Sequence, residues 1–168
     1  MTVSGVTLKL PFSMPMKTRT SAANEENGLA GFCLEDLSVG QSAERAHTVT
    51  EADIQAFAQV SGDANPVHMD EAYAAASPFK GRIAHGMLSG AYISAVLGEQ
   101  LPGHGAIYVS QALRFRRPVR IGDVVTARVT VSAIDAEKAR VSLDTVCLVA
   151  GKSVVEGEAV LMVSRRGG

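Results

Sequence analysis

Asp63 and His68 are the residues of this chain best suited to moving protons. They lie five positions apart in the run Ser61-Gly62-Asp63-Ala64-Asn65-Pro66-Val67-His68. A carboxylate beside an imidazole can exchange protons near neutral pH, so such a pair could activate water or take and return a proton at carbon. Pro66 fixes its own φ, lacks an N–H and pushes Asn65 toward extended geometry, while Gly62 is a natural stop for a preceding helix. The spacing therefore predicts a rigid loop across 61–68 rather than a helix face. The same residues also spell a turn, because Asp-x-Asn-Pro is a common turn sequence and a lone histidine often serves structure alone. Asn65 fits both readings, as a partner of the loop or of a ligand, or as the turn residue before proline.

Several elements must hold this loop. A strand is expected around 44–49 and a helix from Thr50, where Thr50-Glu51-Ala52-Asp53 has the form of a capping box with Asp in place of Glu or Gln. Ile54, Phe57, Ala58 and Ser61 follow at helical spacing and carry that helix into the loop. Residues 70–76 read as a second short helix, halted by Ser77-Pro78. The run 86–100, GMLSGAYISAVLGEQ, is apolar on nearly every face and meets no charge before Glu99. Such a helix must be enclosed, and it is too short to cross a bilayer, so protein has to enclose it. Four β-rich segments follow at 106–119, 124–134, 139–149 and 153–163, joined by short turns, which predicts an antiparallel meander. In the third, Val141, Leu143, Thr145, Cys147 and Val149 share one face. The expected architecture is α+β, one antiparallel curved sheet wrapped around a buried central helix.

Bulk properties narrow the function. With 168 residues and 46% hydrophobic composition, the chain can close a single core. Residues 1–31 mix polar residues, Pro and Met without a period and read as a poorly ordered extension, leaving 32–168 as the domain. Sixteen basic against seventeen acidic residues give no field to attract nucleic acid or an anionic membrane. Cys33 and Cys147 are the only cysteines, without metal-ligand spacing, which argues for a reducing compartment and against structural zinc. No signal-like or membrane-spanning run is found, so the cytoplasm is expected.

The motif GDANPVH, followed by GRIAHGML and later by LRFRRPVRIGD, resembles the MaoC-like (R)-specific enoyl-CoA hydratases, which have the hot-dog fold. The resemblance covers about 32–163. It implies reversible addition of water to a trans-2-enoyl-CoA thioester, giving the (R)-3-hydroxyacyl product, with no cofactor and no metal because the CoA thioester is itself the substrate. The family's catalytic pair falls on Asp63 and His68, and its helix-borne serine near the acyl group falls on Ser94. On the residues alone, Ser94 could equally bond back to a carbonyl one turn earlier. Related activities are a 3-hydroxyacyl-[acyl-carrier-protein] dehydratase, a thioesterase on the same fold, or a non-catalytic acyl-thioester binding module.

Hydration needs a base for water, an acid for Cα and a donor for the charge on the thioester oxygen. Asp63 and His68 can supply the first two in either order. Gly86, at the start of the apolar helix, can bring a backbone N–H to the third, or can merely permit tight packing there. His85 reads as structural, and His47 and His104 have no constellation around them. The cluster Arg114, Arg116, Arg117 and Arg120 is the densest positive patch; Arg116 and Arg117 are the candidates for CoA phosphate contact, against the alternative of a solvated sheet face. The exposed edges of such a sheet predict a homodimer or larger homo-oligomer.

Overall fold

The computed structural model describes residues 31–167. The expected extension at 1–31 therefore lies, but for Gly31, outside the described residues. After a 3-10 turn at Leu34–Asp36 come strand β1, Ser42–Thr48, and helix α1, Glu51–Ser61. Val49 lies between the strand and the helix cap, Thr50. The Thr50 hydroxyl accepts the Asp53 N–H at 3.2 Å while the Asp53 carboxylate accepts the Thr50 N–H at 2.7 Å, so the shorter acid completes the capping box. Gly62 ends α1 in the left-handed region at φ 76°, where a Cβ would be strained.

The expected loop is shorter than 61–68. Only 62–65 is open, and Pro66–Met69 forms one helical turn, α2, so His68 stands on a helix after all. Pro66 occupies the first helical position, where its missing N–H has no intrahelical partner to lose and its fixed φ suits the turn. Helix α3, Glu71–Ala76, follows, with Asp70 capping the Tyr73 N–H at 2.9 Å and Ser77 at its end.

Helix α4, Gly86–Glu99, precedes β2, Ile107–Phe115; β3, Val124–Asp135; β4, Arg140–Val149; and β5, Lys152–Met162. The sheet is antiparallel in the order β1-β3-β4-β5-β2. A simple meander is thus realised only by β3, β4 and β5, for β2 pairs with β5 at the far edge rather than with β3. Residues 116–123 make that crossing possible. Eight residues can extend roughly 26 Å, more than the roughly 14 Å across three strand spacings. On the way Val119 accepts the Ala84 N–H at 2.7 Å, and the Gly122 N–H donates to Val49 at 2.8 Å. Gly157 is needed where β5 meets β2, since a Cβ there would lie 1.9 Å from the Ala112 carbonyl oxygen.

The core lies between the sheet and α4. Leu88, Ile93, Val96 and Leu97 of the helix pack against Val125, Ala127, Val129, Leu143, Cys147 and Leu161. Val141, Leu143, Thr145 and Cys147 are buried as the alternation predicts, with Val149 half-buried. Within one chain, α4 is not fully enclosed. Gly86, Met87, Ala91, Ser94 and Gly98 are exposed, because the sheet covers only the opposite face. This is the hot-dog arrangement, a curved sheet gripping a helix. No helix among the described residues is long and apolar enough to cross a membrane.

Candidate active site

Asp63 hangs from the C-terminal end of α1. Its N–H donates to the Ser61 hydroxyl at 3.2 Å, and its carboxylate Oδ1 accepts the Asn65 N–H at 3.2 Å. Asn65 then adopts φ −53° and ψ 127°, as a residue before proline should, and its side-chain oxygen caps α2 by accepting the Val67 N–H at 3.1 Å. The His68 N–H returns to the Asn65 carbonyl at 2.9 Å. Local hydrogen bonds thus shape the backbone path from carboxylate to imidazole.

The segment between α3 and α4 fastens this loop from below. Arg82, with a side chain only 15% exposed, donates through Nε to the His68 carbonyl at 2.6 Å and through Nη2 to Glu51 at 2.9 Å. The Ile83 carbonyl accepts from His68 Nδ1 at 2.8 Å. A carbonyl can only accept, so Nδ1 carries the hydrogen and Nε2 is the nitrogen free to gain or lose a proton. His85 is buried; its Nε2 lies 2.9 Å from the Asp63 backbone carbonyl, and its ring centroid is 4.0 Å from that of His68 and 5.0 Å from that of Phe57. The Glu51 carboxyl is held below its ordinary value by the Arg82 guanidinium and Gln55 hydrogen bonds, so it remains a charged anchor near neutrality.

A cavity of about 450 Å³ opens beside the pair, lined by Phe57, Ser61, Asp63, His85, Gly86, Met87 and Phe115. Its surface is mostly apolar, with Ser61, Asp63 and His85 as its polar lining beside Gly86 and Met87 at the start of α4. His85, the residue before α4, supplies no side-chain cap; its carbonyl accepts the Leu88 N–H at 3.1 Å, and the Gly86 N–H stands at the positive end of the helix beside the cavity. Gly86 also packs closely: a Cβ there would come within 2.9 Å of the Phe115 ring. Both roles expected for Gly86 are compatible with its position.

The cavity brings together Asp63 and Gly86, with His68 stacked on its lining residue His85. Ser94 does not join them within one chain. It is exposed on the uncovered side of α4, roughly 12 Å along the axis from Gly86. Arg116 pairs through Nε with Glu156 at 2.9 Å, and Arg117 donates to the Ser153 carbonyl, so both side chains are partly engaged at the exposed edge. His47 does have neighbours, contrary to expectation. From β1 it contacts Asp53 at 3.1 Å, and its ring centroid lies 4.6 Å from that of Tyr92 on α4. His104 likewise lies 3.2 Å from Glu99. Neither lines the cavity. The sequence assigns Arg82 no role beyond its place in GRIAHGML, although an arginine and a histidine flanking the apolar pair Ile83-Ala84 before α4 are the signal that marks the fastening segment.

A MaoC-like domain model matches residues 37–156. The chain belongs to the MaoC-like family. It is 59% identical over 133 residues to an (R)-specific enoyl-CoA hydratase of Rhodospirillum rubrum, covering 79% of this chain and 92% of that protein. A 3-hydroxybutyryl-CoA dehydratase of Methylorubrum extorquens is 45% identical over 132 residues, covering 79% and 84%. Among solved structures, the unliganded R-hydratase PhaJ1 of Pseudomonas aeruginosa superposes with a TM-score of 0.77 at 50% identity, covering 81% of this chain and 88% of that one.

Within this MaoC-like domain, Asp63, His68 and His85 bring donor atoms within 4.8 Å of one another. Each imidazole lends one nitrogen to a backbone carbonyl, which fixes its tautomer. The same arrangement can exchange protons with a water placed between Asp63 and His68 Nε2, next to apolar walls fit for an acyl chain.

Proposed function

We propose that this protein adds water reversibly to trans-2-enoyl-CoA thioesters to give (R)-3-hydroxyacyl-CoA, with Asp63 and His68 as the catalytic pair. The observation that carries this reading is the His68 Nδ1 contact with the Ile83 carbonyl, which leaves Nε2 as the exchanging atom of a residue whose donor atom lies within 4.8 Å of that of Asp63. Hydration begins with one proton on the pair, as Asp63 carboxylate and His68 imidazolium. Asp63 takes a proton from water as the water oxygen bonds to Cβ, and the alkene electrons move toward the thioester oxygen. Nε2–H then delivers its proton to Cα. The pair finishes as Asp63 carboxylic acid and neutral His68, still holding one proton, and resets by exchange through solvent. Dehydration is the reverse.

Charge on the thioester oxygen is met by the N–H at Gly86, supported by the positive end of the α4 dipole; one such donor is worth about 10² to 10³-fold in rate. Asn65 acts here through α2, whose cap it forms. Arg116 and Arg117 contact CoA phosphates with the guanidinium N–H groups not taken by Glu156 and Ser153. The active form is a cytoplasmic homodimer. The uncovered face of α4 and the edge strand β2 support the dimer, for β2 exposes Ile107 and Val109 at 56% and 45%. Ser94 would line the acyl pocket once a second subunit covers that face.

The test is loss of enoyl absorbance over a series of trans-2-enoyl-CoA chain lengths, with chiral analysis of the product. The reading predicts loss of absorbance and an (R)-3-hydroxyacyl thioester. Binding without turnover, release of free thiol, or turnover only on carrier-protein thioesters would each replace it with a different one.

A further inference from the structure

We infer that His85 is a positioning residue, held as the neutral Nε2–H tautomer, that fixes both the Asp63 backbone and the His68 ring for proton transfer. The inference rests on the hydration reading above and gives His85 a role beyond lining the cavity.

Three observations converge on it. The ring is 2% exposed, which is unusual for a polar side chain that supports no ion pair. Nε2 lies 2.9 Å from the Asp63 carbonyl, and because a carbonyl can only accept, Nε2 must be the protonated nitrogen. Nδ1 is buried with no hydrogen-bond partner among the described residues. A bare acceptor lone pair in that place is tolerable, whereas an imidazolium would leave a charged N–H buried without an acceptor. It would also put a second positive ring 4.0 Å from His68, which has to carry a proton during each turnover. The neutral form is therefore the one compatible with both the site and the reaction.

Geometry then gives the ring its work. The ring packs between His68 and Phe57, with centroids 4.0 Å and 5.0 Å away and both pairs tilted, so it limits the room in which the catalytic imidazole can move. The donated hydrogen bond holds the carbonyl of Asp63 within the exposed stretch 62–65, where side-chain burial cannot do so. His85 is also the residue immediately before Gly86, so one side chain ties the carboxylate, the imidazole and the start of α4 into a single frame. Misplacing a reacting group by about 1 Å can cost about 10²-fold.

The experiment compares His85→Phe, which keeps a ring but loses the donor, with His85→Gln, which keeps an N–H in reach of the Asp63 carbonyl. Steady-state kinetics on crotonyl-CoA should show kcat lowered by about 10 to 100-fold in His85→Phe with KM changed by less than about threefold. His85→Gln should recover to within about fivefold of the parent. Nitrogen-15 NMR of the unaltered protein should show His85 protonated at Nε2 and bare at Nδ1. Unchanged kcat in His85→Phe, an effect confined to KM, or His85→Gln as impaired as His85→Phe would each overturn the inference. So would an Nδ1–H tautomer, a readout that needs neither variant to fold. Absence of hydration by the unaltered protein would instead remove the functional reading, and the NMR measurement would still decide the tautomer.

Discussion

Asn65→Ala separates a residue that shapes the site from one that touches substrate. The Asn65 side chain accepts the Val67 N–H at 3.1 Å and so caps α2, the four-residue turn that carries His68. Loss of such a cap costs about 1 kcal/mol. The turn keeps its remaining ties, the Asp70 N–H to Pro66 at 2.9 Å and the Arg82 and Ile83 contacts with His68. If the whole lost energy appears as misplacement of His68, kcat falls about fivefold. Removing a group that stabilises charge on the thioester would instead cost about 10² to 10³-fold. The assay is kcat and KM on crotonyl-CoA, with melting temperature, for Asn65→Ala and Asn65→Asp. Asn65→Ala should lose about fivefold in kcat and melt a few degrees lower, while Asn65→Asp, an equally good cap, should restore both. A loss beyond about 100-fold that Asn65→Asp leaves uncorrected would refute this reasoning and assign Asn65 to the substrate.

Other consequences are equally direct. Replacing Arg116 and Arg117 together by Ala should raise KM for CoA esters several-fold with kcat nearly unchanged, and the difference should shrink with added salt; an unchanged KM removes the phosphate contact. Ile107→Lys on β2 should yield a monomer of low activity by light scattering and assay, whereas a fully active dimer would place the interface elsewhere. Asp53→Asn should lower stability at neutral pH by about 1 kcal/mol, as measured by urea denaturation. Burial pushes the Asp53 carboxyl up, but the Thr50 hydrogen bonds and His47 more than offset this and hold it below its ordinary 3.8. The folded form therefore gains from ionisation above that value and loses the gain as pH falls through the lowered one, so the two proteins should converge in acid. A difference that persists or grows in acid contradicts the sign.

The sequence made some parts of this site readable and hid others for physical reasons. GDANPVH could be read because its chemistry is local: Gly62, Asn65 and Pro66 shape the backbone within a few residues of the groups they position. Alternation in β4 was equally local and placed Leu143, Thr145 and Cys147 on the buried face. The partner of β2 was not readable, since 116–123 is long enough to reach more than one strand and only tertiary packing chooses. Pro66 misled in one respect, being a helix starter as well as a helix breaker. The frame formed by Arg82, Ile83 and His85 depends on contacts fourteen to twenty-two residues apart in sequence, beyond what periodicity reports. The uncovered face of α4 has a similar origin, for an all-apolar helix announces that it is buried without saying which chain buries it.

Turnover of crotonyl-CoA by the Asp63→Asn and His68→Ala proteins, followed by loss of enoyl absorbance beside the unaltered enzyme, tests the central claim most directly. The account predicts rates lowered by about 10² to 10⁴-fold in each variant, with circular dichroism and melting temperature close to those of the parent. Near-normal turnover by either folded variant would contradict it.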